Sequence, residues 1–234
     1  MSVKMFVFLL IGTLLMGVPI ALMAKKNEIR LWKSVAATGL LTVFGYAGTY
    51  LMFYIENHWF GGVSFYGAVF FVPIAFIFVA DLLRIPYKKI MDFCAVGECI
   101  MLALMKVQCF LGECCFGRDL FTLADGTVIR FPSRLVESAV ALTLFALLFI
   151  WAMKQRKRGE LYGWYLILYG SARFVLNFMR KEYVTTDMVI PFGHLWSLVA
   201  IGLGLFWLIR ICKERPLEKE PGAVEAISPS EQDA

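Results

Sequence analysis

Long apolar stretches alternate with short charged runs along the whole chain, and that alternation predicts membrane-crossing helices. The apolar stretches run approximately over Met5–Met23, Val35–Tyr54, Val63–Leu83, Met91–Leu111, Leu135–Met153, Tyr162–Met179 and Val189–Ile211. Each is long enough, at ~1.5 Å of rise per residue, to cross a ~30 Å hydrocarbon layer. The sixth is interrupted by Arg173 and Asn177. The first is followed by Lys25 and Lys26 without a small-x-small cleavage pattern, so a retained span is expected rather than a signal peptide. Residues 1–215 read as one helical domain without internal repeats, and the stretch from Pro216 onward, with Glu, Pro, Gly and Ser, as a disordered tail. The expected fold class is therefore all-α, a polytopic bundle of about seven transmembrane helices.

The loops between these stretches carry unequal charge. One set holds 15 of the 23 cations, among them Lys25, Lys26, Arg30, Lys33, Arg84, Lys88, Lys89 and Lys154. The other set holds six: Lys4, Arg118, Arg130, Arg134, Arg180 and Lys181. The positive-inside rule places the first set in the cytoplasm, which puts the N-terminus outside and the C-terminus inside. Trp59, Tyr87, Trp151, Tyr162 and Trp164 fall at span ends, where aromatic rings anchor to the interface.

Composition agrees. Sixty per cent of the 234 residues are hydrophobic and 18% are charged, with a mean hydropathy of +0.71. A water-soluble domain is nearer half apolar. The net charge of +5 belongs to loops facing the membrane surface, and no basic stripe with interleaved aromatics points to nucleic acid. Cys109, Cys114 and Cys115 lie near one span end, but His58 and His194 are remote in sequence, so neither a metal centre nor a cofactor is expected. Spacing alone leaves the disulfide state of these cysteines open.

Ionisable groups inside a bilayer cost roughly 2.5–3.5 kcal/mol each, so each needs a partner or a purpose. Asp81, Glu98, Lys106, Glu113, Glu137 and Arg173 fall in or at the edges of spans. Asp81 and Arg84, spaced i, i+3, read as a boundary pair, and Asp92 as a helix-start residue. Lys106, Cys109, Glu113 and Gly117 share one helical face if the helix persists that far. Two readings stay open for this cluster: polar links that hold helices together, or an outward-facing cavity in which Lys106 and Arg173 attract a phosphate with few acids to compensate them. Between the fourth and fifth spans lies a long polar loop with a turn at Asp125-Gly126.

Several segments, in order, carry a resemblance. Ser64-Phe65-Tyr66-Gly67-Ala68 is similar to a Ser-Phe-His-Gly-Gly motif. Lys106 to Arg118 is similar to a signature that begins Gly-Arg-x-Gly-Asn-Phe and ends Gly-Arg. Phe131-Pro132-Ser133-Arg134-Leu135-Val136-Glu137 is similar to Tyr-Pro-Ser-Gln-Leu-Tyr-Glu. Tyr169-Gly170-Ser171-Ala172-Arg173-Phe174 with Arg180 is similar to Tyr-Gly-x-x-Arg-Phe … Glu-Phe-x-Arg, and Gly193-His194-Leu195 to the start of a last span. With a Gly-rich second span from Gly45 to Tyr54, these pieces resemble the bacterial prolipoprotein diacylglyceryl transferases from about Gly45 to Gly204. Gly117, Pro132, Ser133, Glu137, Tyr169, Arg173 and Arg180 match. Tyr66 replaces the motif histidine, Lys106 the signature arginine, Cys109 its asparagine, Cys114 its glutamate, and Asn177 the acid after the sixth-span arginine.

The resemblance implies an enzyme of the bacterial plasma membrane with its cavity toward the outer face. It would move a diacylglyceryl group from phosphatidylglycerol, an anionic phospholipid, to the lipobox cysteine thiol in the signal peptide of a lipoprotein precursor. Arg173, Lys106, Tyr66 and Glu137 take the catalytic positions. Arg173, Lys106, Tyr169, Gly117 and Ser133 take the positions around the lipid phosphate. The substitutions keep two other readings open: a paralogue with a different lipid donor or acceptor, and a lipid-binding membrane protein without catalysis.

Overall fold

The computed structural model describes residues 3–58, 62–112, 115–154, 159–180 and 191–213. Trp59, Glu113, Cys114, Lys181, Val189 and the tail from Pro216 onward lie outside the described residues. Seven helices and one hairpin follow in order: α1 (Val3–Lys26), α2 (Leu31–Asn57), α3 (Tyr66–Leu83), α4 (Tyr87–Leu111), β1 (Asp119–Thr122), β2 (Val128–Arg130), α5 (Ser133–Lys154), α6 (Glu160–Asn177) and α7 (Phe192–Lys213). Each helix coincides with one expected span to within a few residues. The chain is a polytopic membrane bundle, and α2, α3, α5 and α7 each have the length and apolar composition to cross a membrane.

Its surface is apolar where a soluble protein's would be polar. Ile77 is 72% exposed, and Leu14, Val18, Val43 and Ile74 also point outward, while Phe76, Val79, Ile90, Val96, Leu148 and Tyr165 fill the interior. Only hydrocarbon satisfies such an exterior. Helices meet where small residues let backbones approach. A Cβ on Gly67 would strike the Gly48 carbonyl, and one on Gly204 would stand 2.7 Å from the Gly163 carbonyl oxygen. These contacts close α2 on α3 and α6 on α7, the small-residue packing expected without a hydrophobic drive between helices.

Helix direction alternates, and one end of the bundle gathers basic side chains onto helix carbonyls. Lys26 Nζ donates to the Ala152 carbonyl at 2.6 Å, Lys33 Nζ to Leu83 at 2.7 Å and Lys89 Nζ to Asn27 at 2.7 Å. Cations at helix C-termini also complement the helix dipole. Asp92 is more than a helix-start residue. Its carboxylate accepts from the backbone N–H of Gly159 at 2.8 Å and of Leu161 at 3.1 Å, and so caps α6 from α4. Asp81 and Arg84 are joined differently from the expected side-chain pair: Arg84, at φ 51°, donates its backbone N–H to the Asp81 carbonyl at 3.2 Å, and no ion pair links them among the described residues.

The opposite end departs further from expectation. α4 stops at Leu111, and Gly112 closes it by donating its N–H to Gln108 at 2.8 Å. The helical face that would join Lys106 to Gly117 therefore does not persist. The long loop is a β-hairpin in which β1 pairs antiparallel with β2. Its turn uses Gly126 at φ 84°, and Thr127 donates its N–H to Asp125 at 2.9 Å. That backbone bond holds the Asp125 carboxyl below the usual carboxylate range.

Candidate functional site

Four charged side chains from three parts of the chain meet at the hairpin end. Glu137, one turn into α5, is placed by the start of that helix. Ser133 Oγ donates to the Cys115 carbonyl at 3.2 Å, and Ser133 is buried. Lys106, in the last turns of α4, puts Nζ 2.6 Å from Glu137 Oε2. Arg173, in α6, puts Nη1 2.5 Å from the same oxygen. Arg180 lies beyond α6 with Nε 3.9 Å from Oε1, close enough for attraction but not for a hydrogen bond. All four residues are between 4% and 8% exposed. At such burial a cation without a counter-ion would cost several kcal/mol, so the shared carboxylate is what allows three cations to converge.

The expectation of two cations with few acids nearby is thus revised. Lys106 and Arg173 do come together, but through Glu137. Glu56, at the end of α2, adds a further negative potential at Arg173. Among the described residues the cluster still holds more positive than negative charge. Glu113 lies outside them.

Arg180 lies three residues past the end of α6, so helical spacing from Arg173 does not place it in the cluster. Gly117 reaches it along an extended segment, forming a β-bridge with Arg180. Arg118 donates its N–H to the Met179 carbonyl at 2.9 Å, and Phe131 donates to Arg118 at 3.0 Å. A Cβ at Gly117 would collide with the Phe131 carbonyl oxygen, so this three-segment joint admits only glycine.

Tyr169 stands one turn before Arg173 and packs against Phe65 and Tyr66, with ring centroids 5.6 and 6.1 Å away. Tyr66 is buried, and its hydroxyl is engaged. It lies 2.6 Å from Ser197 Oγ and 3.1 Å from the Gly193 carbonyl oxygen, to which Ser197 also donates at 2.7 Å. This triangle pins the start of α3 to the start of α7. The phenol is thereby tied to two groups of α7. Cys109 and Cys115 are both half-buried at this end of the bundle.

Beside the ionic cluster runs a cavity of about 660 Å³, walled by α1 to α4. Its end nearest the ionic cluster is lined by Thr49, Phe65, Gln108 and Cys109, and its depth by Ile20, Ala37, Ile90 and Phe93. Phe65 faces the cavity on one side and Tyr169 on the other, which places one aromatic layer between the apolar space and the helix that carries Arg173. A volume of this size and lining accepts hydrocarbon chains, and the adjoining cations suit an anionic group.

Comparison with known proteins points to one family. A curated phosphatidylglycerol–prolipoprotein diacylglyceryl transferase of Teredinibacter turnerae is 36% identical over 161 residues, which cover 65% of this chain and 51% of that protein. Proteins of the same name from Geobacter sulfurreducens and Mannheimia succiniciproducens are 27% and 26% identical, covering 73% and 71% of this chain and 72% and 66% of theirs. The matched part of the chain thus spans about half to seven-tenths of these relatives' length. The family model for prolipoprotein diacylglyceryl transferase matches residues 3–210, and with that span covered the chain belongs to the prolipoprotein diacylglyceryl transferase family.

Proposed function

We propose that this protein is a phosphatidylglycerol–prolipoprotein diacylglyceryl transferase of the bacterial plasma membrane. In this reading the hairpin end faces outward and the lysine-rich end faces the cytoplasm. The observation that carries the proposal is the convergence of Lys106, Arg173 and Arg180 on the single carboxylate of Glu137, beside an apolar cavity.

The donor enters from lipid with its acyl chains in the α1–α4 cavity and its phosphate against Arg173 and Lys106. Tyr169 flanks that position, while Gly117 and Ser133 set the backbone that frames it. The acceptor sulfur forms a bond to the glyceryl carbon as the bond from that carbon to the phosphate oxygen breaks. Glycerol phosphate leaves, and the thiol proton ends on its newly freed oxygen, so the step balances without a separate base. Buried cations stabilise both the thiolate and the charge growing on the leaving oxygen. Glu137, already engaged by three cations, serves to gather them. Tyr66 positions rather than deprotonates.

A second reading has its own support. The residue at the family's motif histidine is a tyrosine whose hydroxyl is taken up by Ser197 and Gly193, which suits a protein that binds lipid without transferring it, or a paralogue with another donor or acceptor. The deciding experiment is transfer from labelled phosphatidylglycerol to a lipobox peptide by the purified full chain. Thioether product is expected. Tight lipid binding with no product would replace the enzyme reading with the binding one.

A further inference from the structure

Glu98 lies midway along α4, is 8% exposed, and faces the α1–α4 cavity. Neither of its carboxyl oxygens makes a hydrogen bond among the described residues. The Tyr165 hydroxyl, from α6, is close enough to be a hydrogen-bonding neighbour of the carboxyl, which still leaves most of the carboxyl's acceptor positions open. An unsatisfied carboxyl in an apolar interior is among the more expensive features a bundle can carry, and an aliphatic side chain there would cost nothing comparable.

The threonine hydroxyls along the cavity have their protons engaged by backbone carbonyls: Thr38 donates to the Ser34 carbonyl at 2.8 Å, Thr42 to that of Thr38 at 2.8 Å and Thr49 to that of Tyr46 at 2.7 Å, while the Tyr46 and Tyr50 hydroxyls lie 2.9 Å apart. Glu98 is the buried carboxyl at mid-depth with bonding capacity left over among the described residues. A single water occupies ~30 Å³ of liquid volume, far less than the cavity's 660 Å³. The matching occupant is long, apolar and equipped with one hydrogen-bonding group part-way down.

Position along the helix identifies which part of the occupant Glu98 meets. Eight residues separate Glu98 from Lys106, about 12 Å along the α4 axis at the usual helical rise. With a headgroup at the ionic cluster, as the lipid-transfer reading places it, Glu98 meets the chain and not the glycerol. We propose that the cavity selects lipids whose acyl chain carries a mid-chain hydroxyl, with Glu98 as its hydrogen-bonding partner.

The test is binding, so it does not depend on turnover. The purified full chain in detergent is titrated with phosphatidylglycerol bearing one ricinoleoyl chain, which has a mid-chain hydroxyl, or one oleoyl chain, each competing with a fluorescent phosphatidylglycerol. The wild type should prefer the hydroxylated lipid by about tenfold, the factor that one well-made hydrogen bond yields. E98L should lose the preference while keeping its affinity for the oleoyl lipid, and E98Q, which still hydrogen-bonds, should keep most of it. Equal binding of both lipids by the wild type, as a site holding only water would give, overturns the proposal, and so does a preference that survives in E98L. Failure of the transfer reading shows separately, as absent thioether product with the chain preference intact.

Discussion

Lys106 Nζ lies 2.6 Å from Glu137 Oε2, joining the last turns of α4 to the first of α5 where both side chains are buried. The pair is part of a set in which one carboxylate serves three cations, so the two partners are not equivalent. Removing the carboxylate takes the shared counter-ion from Lys106, Arg173 and Arg180 at once; removing one cation leaves Glu137 still paired. Glu137→Gln should therefore destabilise the folded bundle by about 3–5 kcal/mol, and Lys106→Met far less. Adding Lys106→Met to Glu137→Gln should restore part of the loss, which unfolding in detergent measures as a coupling energy. A Glu137→Gln protein as stable as the wild type would remove Glu137 from its role as counter-ion.

The two cations differ in what they ask of a replacement. Arg173→Ala leaves Lys106 on Glu137, so expression and fold should hold, while transfer from phosphatidylglycerol should fall by roughly 10²-fold or more as the leaving phosphate loses a charge-assisted partner. Lys106→Ala should do nearly as much. Lys106→Arg should be tolerated, since a guanidinium can reach both Glu137 and a phosphate in a forked geometry. The readout is initial transfer rate, and near-normal turnover by Arg173→Ala would contradict the proposed phosphate site.

These residues also mark how far the sequence could be read. The seven helices were legible because the thickness of hydrocarbon fixes the length of an apolar run, whatever packs beside it. Lys106 and Arg173 stood out because buried cations are costly. Glu137 stood out with them, but not as their common partner, since pairing across α4, α5 and α6 depends on helix rotation that a single chain does not reveal. The same holds for Asp92, whose bonds to Gly159 and Leu161 span more than sixty positions. The hairpin was missed for a local reason. Leu120-Phe121 and Val128-Ile129 flank the Asp125-Gly126 turn with strand-favouring residues, but the segment is too short and too flanked by arginines to register as alternation. The continuous face from Lys106 to Gly117 failed at Gly112, where α4 ends.

Tyr66 offers a clean separation of positioning from proton transfer. Its hydroxyl joins Ser197 and Gly193, so Tyr66→Phe should cost about 1–2 kcal/mol of stability and leave transfer within a few-fold of normal. Restoring the family's residue with Tyr66→His should keep activity or raise it. Loss of transfer in a well-folded Tyr66→Phe protein would return the phenol to the reaction itself.

The loop cations predict an orientation that has a direct check. A cysteine placed at Asp125, in the turn of the hairpin, should react with an impermeant thiol label in intact spheroplasts, and a reporter fused after Lys157 should be active only in the cytoplasm. A protected residue 125 would invert the bundle and turn the ionic cluster toward the wrong side of the membrane.

Gly117 tests whether Arg180 acts through its backbone setting. The joint is built from three segments: Gly117 bridges Arg180, Arg118 donates to Met179 at 2.9 Å, and Phe131 donates to Arg118 at 3.0 Å. Nothing larger than hydrogen fits at Gly117, because a Cβ would meet the Phe131 carbonyl, which is backbone and has little freedom to move. Gly117→Ala should therefore push the extended segment away from Met179 and Arg180, at a stability cost of about 1–3 kcal/mol for overpacking. Arg180 Nε already sits 3.9 Å from Glu137, so a modest displacement takes it out of the cluster, and transfer should fall about as far as in Arg180→Met. If the glycine matters because it places that arginine, the two losses are not additive, and the Gly117→Ala, Arg180→Met double variant should transfer no more slowly than the worse single. Fully additive losses in the rate would mean that Gly117 frames the phosphate by itself, and that the bridge to Arg180 is incidental to it.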